Sequence, residues 1–241
     1  ALLFVSNFLL LVAVYATNSF FGFKADRLNP RFRDSQFESP VKYVVMSVVT
    51  LIASLILLHV MNPRLPILGG FSYLLWVFYS CPGGAKGRPI WGTLVHLFGQ
   101  VLQFHLCVMA FIEPTLSTLT VSVYFGLLFA SGHLMHEVKD HDSDALAGVR
   151  TNSVAYGQER VISFYRIVVA LIPIYWTALR AADLLTNAQF VPFLLASIAH
   201  AIFTFIGSGK RAPGTETYQS LYRVFYLVAG VTTFYLAYSE S

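Results

Sequence analysis

Apolar runs of helix-spanning length, separated by short polar connections, organise the sequence. They predict helices over roughly 2–20, 42–61, 67–80, 92–112, 117–135, 161–179, 190–206 and 221–238. A hydrocarbon core of about 30 Å takes some 20 helical residues, so most of these runs are long enough to cross a bilayer. The third, between Pro66 and Pro82, is the shortest. Pro40, Pro63, Pro66, Pro82, Pro89 and Pro114 punctuate the ends of runs, where proline belongs. Pro173 and Pro192 fall inside runs, and neighbouring helices can tolerate the kinks they would introduce. Nothing shows the two-residue alternation of a barrel. The expectation is an all-α polytopic bundle forming one unit over 1–241.

Composition agrees. Apolar residues make up 56% and charged residues 12% of the 241, with a mean hydropathy of +0.63. A soluble domain carries about twice that share of charge, so the apolar excess is expected to face lipid. Cys81 and Cys107 are the two cysteines, which excludes a disulfide framework or a Cys-rich zinc site. The net charge of +4 comes with no nucleic-acid-binding motif; in a membrane protein it reports orientation. The first run lacks a basic leader and ends in polar residues, unlike a removable signal peptide.

If each run crosses once, the connections alternate between two sides. One side receives 21–41, 81–91, 136–160 and 207–220, and with Lys42 these hold twelve of the sixteen Lys and Arg residues. The positive-inside rule makes that side cytoplasmic, in a bacterial plasma membrane or a eukaryotic endomembrane. The same side holds nine of the twelve acids. Orientation needs only Lys and Arg, so the gathered carboxylates point to chemistry.

Three clusters carry that chemistry. The densest is His136-Glu137-Val138-Lys139-Asp140-His141-Asp142-Ser143-Asp144. On a continuing helix, Glu137, Asp140 and Asp144 share a face. Such a stripe repels itself unless it holds a cation, and oxygen-only ligation suits Mg²⁺. Gly148 would let the chain turn afterwards. A second cluster, Asn18, Gly22 and Asp26, lies at intervals of four along one face of the first helix. The third, Tyr79-Ser80-Cys81-Pro82-Gly83-Gly84-Ala85-Lys86-Gly87-Arg88, offers Lys86 and Arg88 to diphosphate oxygens. It lacks the spacing of a P-loop. A charged, solvated loop or a helix–helix hydrogen bond from Asn18 would be the ordinary explanations of the first two clusters.

Taken in order, these clusters resemble the UbiA superfamily of intramembrane prenyltransferases over essentially the whole chain. The family's first motif, NDxxDxxxD with xxNP, resembles Asn18-Ser19-Phe20-Phe21-Gly22-Phe23-Lys24-Ala25-Asp26 and then Asn29-Pro30. Its second, DxxDxxxD followed by glycine and threonine, resembles Glu137 to Asp144, then Gly148 and Thr151. Its Tyr-Ser-x-Pro…Lys loop matches Tyr79, Ser80, Pro82 and Lys86. The family has nine spans, so the resemblance implies that its first helix is missing here. Ser19 and Gly22 stand where the family has aspartates, a depletion similar to that of UbiA-type terpene cyclases.

The resemblance implies Mg²⁺ held by Asp140, Asp144, Glu137, Asp26 and Asn18. It makes Lys86, Arg88, Lys139 and Arg31 candidates for binding the diphosphate of a farnesyl or geranylgeranyl substrate. An allylic cation would then form in an apolar cavity and be closed to a terpene, or alternatively transferred to an aromatic or other lipophilic acceptor. Phe98, Phe104, Tyr124, Phe125 and Phe129 are candidate cavity rings, since aromatic faces stabilise cations. His96, His105, His133 and His136 are set aside as packing residues. A dead scaffold or a transporter is the remaining alternative; polar residues gathered at one membrane face argue against a transporter, whose sites lie near the midplane.

Overall fold

A computed structural model describes residues 1–28, 39–206 and 215–239, the side chains of 24–28, 215–221 and 237–239 excepted. Every expected run is a helix: α1 (Leu2–Leu28), α2 (Pro40–Met61), α3 (Leu65–Ser80), α4 (Trp91–Met109), α5 (Leu116–Lys139), α8 (Gln158–Ala181), α9 (Asn187–Ile206) and α10 (Thr215–Ser239). Two short helices, α6 (His141–Leu146) and α7 (Asn152–Tyr156), occupy what the sequence offered as one long loop. α1 runs eight residues beyond its expected end, through Gly22 and Asp26, so Asn18, Gly22 and Asp26 do lie on one helix. Among the described residues six helices are long and apolar enough to cross a membrane, and α3, at 16 residues, is shorter.

The burial pattern is that of a bilayer protein. On α2, Val44, Val48, Ile52, Ile56 and Val60 are exposed at intervals of four, whereas Ser47, Ser54 and Leu58 are buried. Lipid solvates the branched apolar face, so helix contacts fall to small and hydroxylated residues. Ser47 joins Thr17 of α1 (2.7 Å) and Tyr73 of α3 (2.9 Å), which are themselves 2.8 Å apart. Ser54 donates to the Ser6 carbonyl at 2.8 Å. Leu10, Leu58, Leu65 and Leu106 fill the apolar layer nearer the opposite face.

α5 is the inner helix, packed against α4, α8 and α10. Its buried positions include Gly126, Ala130, Ser131 and Gly132, which let neighbouring backbones approach. Tyr124 anchors the far side with Trp176, Phe193 and Ile172, its hydroxyl 2.7 Å from that of Ser197. Because α5 reaches Lys139 in this protected position, its last turn carries a buried carboxylate.

The α4–α5 contact depends on Gly126, where a Cβ would stand 2.9 Å from the Leu97 carbonyl oxygen. Gly126→Ala is expected to destabilise the bundle by roughly 1–3 kcal/mol, the usual cost of overpacking. Gly70→Ala, with nothing within 4 Å, should be neutral. Thermal unfolding in detergent compares the two.

Candidate active site

The site is assembled at one end of the bundle by α1, α3, α5, α6 and the 81–90 connection. α5 ends at Lys139; Asp140, with φ −91° and ψ 6°, joins it to α6. The Asp144 amide still donates to the Asp140 carbonyl at 2.8 Å, which keeps the two aspartates one turn apart. α6 closes on Gly148 at φ +70°, with Val149 donating to Asp144 (2.8 Å) and Gly148 to Ala145 (3.2 Å). That is a Schellman ending, in which glycine takes the left-handed conformation without penalty. The turn expected at Gly148 is there.

Asp144 is half-buried, and Thr151 hydrogen-bonds its carboxylate. Burial pushes its carboxyl up to about 6; the Asp140 and Glu137 charges push the same way, against Lys86 and the Thr151 bond. Lys86, in the short 3₁₀ turn Ala85–Gly87, thus lies within electrostatic reach of Asp144. Tyr79, in the last turn of α3, lies within reach of Glu137, Asp144 and Asp140. Next to it, the Ser80 hydroxyl donates to the Asn18 side-chain oxygen at 3.2 Å. All three sequence clusters therefore converge, with Asn18, Tyr79, Ser80, Lys86, Asp140 and Asp144 at their meeting point.

Several expectations are corrected. Glu137 does not share an open stripe with Asp140 and Asp144. It is 4% exposed and turned inward, with Oε2 accepting from the Asn152 amide (3.2 Å) and side chain (2.8 Å). A carboxylate buried this deeply must find donors, and it has found them in the protein. Arg88 is exposed, while Lys139 closes α5 half-buried. Phe98 and Phe129 are 54% and 52% exposed, so they line no enclosed wall. Phe104 and Phe125 stack at 5.3 Å, and Tyr124 packs edge-on to Phe125, inside the bundle. Arg31 and the side chain of Asp26 lie outside the described residues.

The sequence reading passed over the rings beneath the acids. His96 and His133 stack at 3.6 Å, with Tyr79 edge-on at 4.8 Å and 6.0 Å, and Trp76 4.9 Å from His96. His133 Nε2 lies 3.1 Å from Glu137 Oε1 but out of line for a hydrogen bond. One signal was available: His133 and Glu137 are four apart on the same predicted helix. Asn152 carried none beyond its place after Thr151.

The donor set fits a hard divalent cation. Asp140 and Asp144 are carboxylates one turn apart, and Asn18 offers an amide oxygen. Among the described residues no three His, Cys, Asp or Glu side chains converge as a metal cluster. Magnesium accepts such a sparse set, since it retains waters and takes phosphate oxygens.

The model of the UbiA prenyltransferase family matches residues 1–226. The chain belongs to this family. With six long apolar helices among the described residues, it is an integral membrane protein. Among solved structures, a UbiA homologue from Archaeoglobus fulgidus bound to GPP and Mg²⁺ superposes with a TM-score of 0.78 at 17% identity, over 97% of this chain and 85% of that one. The same homologue bound to DMAPP and Mg²⁺ gives 0.77 at 17% identity, again over 97% and 85%. These likenesses establish the fold. No curated protein matches the sequence.

In the metal-free protein, Asp144 is expected to titrate near pH 6. Its raised value means that protons compete with a cation from there downward, by about tenfold in affinity per pH unit. Asp140→Asn removes a negative neighbour and should move the midpoint down, as carboxyl-carbon NMR can follow.

Proposed function

We propose that this protein ionises an isoprenoid diphosphate with the help of Mg²⁺ and closes the resulting allylic cation into a terpene. The observation that carries the reading is the convergence of Asp140 and Asp144, Lys86, and the Asn18–Ser80 pair beside a cluster of aromatic and imidazole rings. Asp140 and Asp144 would hold the cation, with Asn18 and the Asp26 expected beside it on α1 as further oxygen ligands. When bound, Mg²⁺ neutralises the diphosphate and makes it a better leaving group. Lys86 stabilises charge growing on the departing diphosphate. Trp76 and Tyr79 supply aromatic rings at this end of the bundle, and ring faces stabilise cations. The surrounding apolar helices keep water from the allylic cation. The acid-bearing connections face the cytoplasm, in keeping with the Lys and Arg asymmetry.

The GPP and DMAPP bound by the A. fulgidus homologue are isoprenoid diphosphates, which supports this substrate class. Cyclisation is preferred to transfer because Ser19 and Gly22 deplete the first motif in the manner of the cyclase branch. Membership of a prenyltransferase family favours the second reading, transfer to an aromatic or other lipophilic acceptor.

Purified protein incubated with farnesyl or geranylgeranyl diphosphate and Mg²⁺, without an acceptor, should yield cyclic hydrocarbon and free diphosphate. Turnover that appears only after an acceptor is added would establish the transferase reading instead. Asp140→Ala and Asp144→Ala should each lower turnover by roughly 100-fold or more, the scale of losing a group that stabilises developing charge.

A further inference from the structure

Glu137 stands where the family's second motif has an aspartate, yet one of its oxygens, Oε2, is already taken by donors of the protein. Oε2 receives two hydrogen bonds from Asn152, and Oε1 faces His133 Nε2 at 3.1 Å. Its main-chain carbonyl accepts from Ser153 Oγ at 2.6 Å. Asn152, itself 5% exposed, spends every polar atom of its side chain: Nδ2 donates to Glu137 and to Thr93 Oγ1 (3.0 Å), while Oδ1 accepts from the Ile90 amide at 2.6 Å. Ile90 has φ +71°, a conformation that a β-branched residue adopts only under constraint. It ends the connection that carries Lys86 and begins α4, where the Leu94 amide donates to its carbonyl at 3.0 Å. One amide side chain therefore ties the end of α5, the start of α7 and the strained exit of the Lys86 connection.

We propose that Glu137 and Asn152 form a clasp that positions the Lys86 connection against Asp140 and Asp144, and that Glu137 is not a ligand of the cation. Glu137 supplies the buried anchor. Asn152 transmits its position to Ile90, and the strained turn at Ile90 sets where Lys86 stands. Gly92 leaves the room for this: a Cβ there would lie 3.3 Å from His133 Nε2 and 3.6 Å from Glu137 Oε1.

Glutamine separates the two roles. In Glu137→Gln the side-chain oxygen still accepts from Asn152, so the clasp survives while the charge is lost. Mn²⁺, followed by electron paramagnetic resonance on the purified full chain, is the metal probe. Glu137→Gln is expected to change Mn²⁺ affinity by less than about threefold, whereas Asp144→Asn, losing a charged ligand, weakens it by about tenfold or more. Asn152→Ala is expected to raise KM for farnesyl diphosphate by about tenfold, the effect of losing hydrogen bonds to a charged group, with a smaller change in kcat. It should also speed tryptic cleavage at the Lys86–Gly87 bond by about fivefold or more, as a locally opened segment is cut faster. Glu137→Ala should behave like Asn152→Ala, and Glu137→Gln like wild type.

A fall of about tenfold in Mn²⁺ affinity in Glu137→Gln would overturn the inference. So would an unchanged cleavage rate in Asn152→Ala. The inference rests on the proposed diphosphate chemistry only for its KM arm. If wild type turns over no isoprenoid diphosphate, that reading fails, and the Mn²⁺ and proteolysis arms still decide the clasp.

Discussion

A carboxyl buried at the end of a transmembrane helix must be met by donors or by a cation, or be neutralised by a proton, because the desolvation of a lone charge costs far more than one domain's stability margin. Glu137 meets that requirement at Oε2 from within the protein, through Asn152. The rest of the site follows from the choice. Asn152 can serve Glu137 only if the chain after α6 returns to α5, and the Schellman ending at Gly148 makes that return. The return brings Thr151 to the Asp144 carboxylate and leaves the Asn152 oxygen free to take the Ile90 amide. The positive φ at Ile90, a cost of about 1–3 kcal/mol, persists because a buried acceptor fixes its N–H.

That arrangement could not form in a bundle held together by bulky side chains. Where lipid solvates branched residues as well as any core does, helices gain by approaching closely and sharing hydroxyl hydrogen bonds. Thr17, Ser47 and Tyr73 do this among α1, α2 and α3, and Gly126 does it between α5 and α4. Close packing of α5 shields its last turn, and burial of Asp144 on the adjoining α6 is what raises its carboxyl. The apolar architecture and the electrostatics of the site are therefore one design.

The helices were legible in the sequence because their signal is coarse. Twenty apolar residues between prolines can do little else in a bilayer, and each boundary moved by only a few residues except at the end of α1 and the start of α10. The convergence of the clusters was legible too, since Asn18, Tyr79, Ser80, Lys86 and Asp144 lie at the same end of alternating spans. The orientation of individual side chains was not. Glu137 shares a helical stripe with Asp140 by counting, but counting assumes that the helix continues, and it ends at Lys139. Phe98 and Phe129 have the same composition-level credentials as Phe104 and Phe125, and only tertiary contacts separate them. Asn152, a single polar residue after Thr151, has no periodic partner to announce it.

The two halves of the site now differ in kind. The α5–α6 half is rigid by construction: Asp140 and Asp144 are fixed one turn apart by a main-chain bond, and Asp144 is held by Thr151. On the α1 half, the first motif has lost its two neighbouring carboxylates to Ser19 and Gly22, and the Asn18 oxygen already accepts from Ser80. A cation placed between the halves is drawn towards the rigid acids, and Asn18 can approach it only as a neutral oxygen that also answers to Ser80. In the proposed reaction, charge balance at the diphosphate would then lean on Lys86, which the proposed clasp places through the strained turn at Ile90. A substitution that loosens that turn would thus disturb the anion before the metal, and this asymmetry follows from where the protein has buried its third carboxylate.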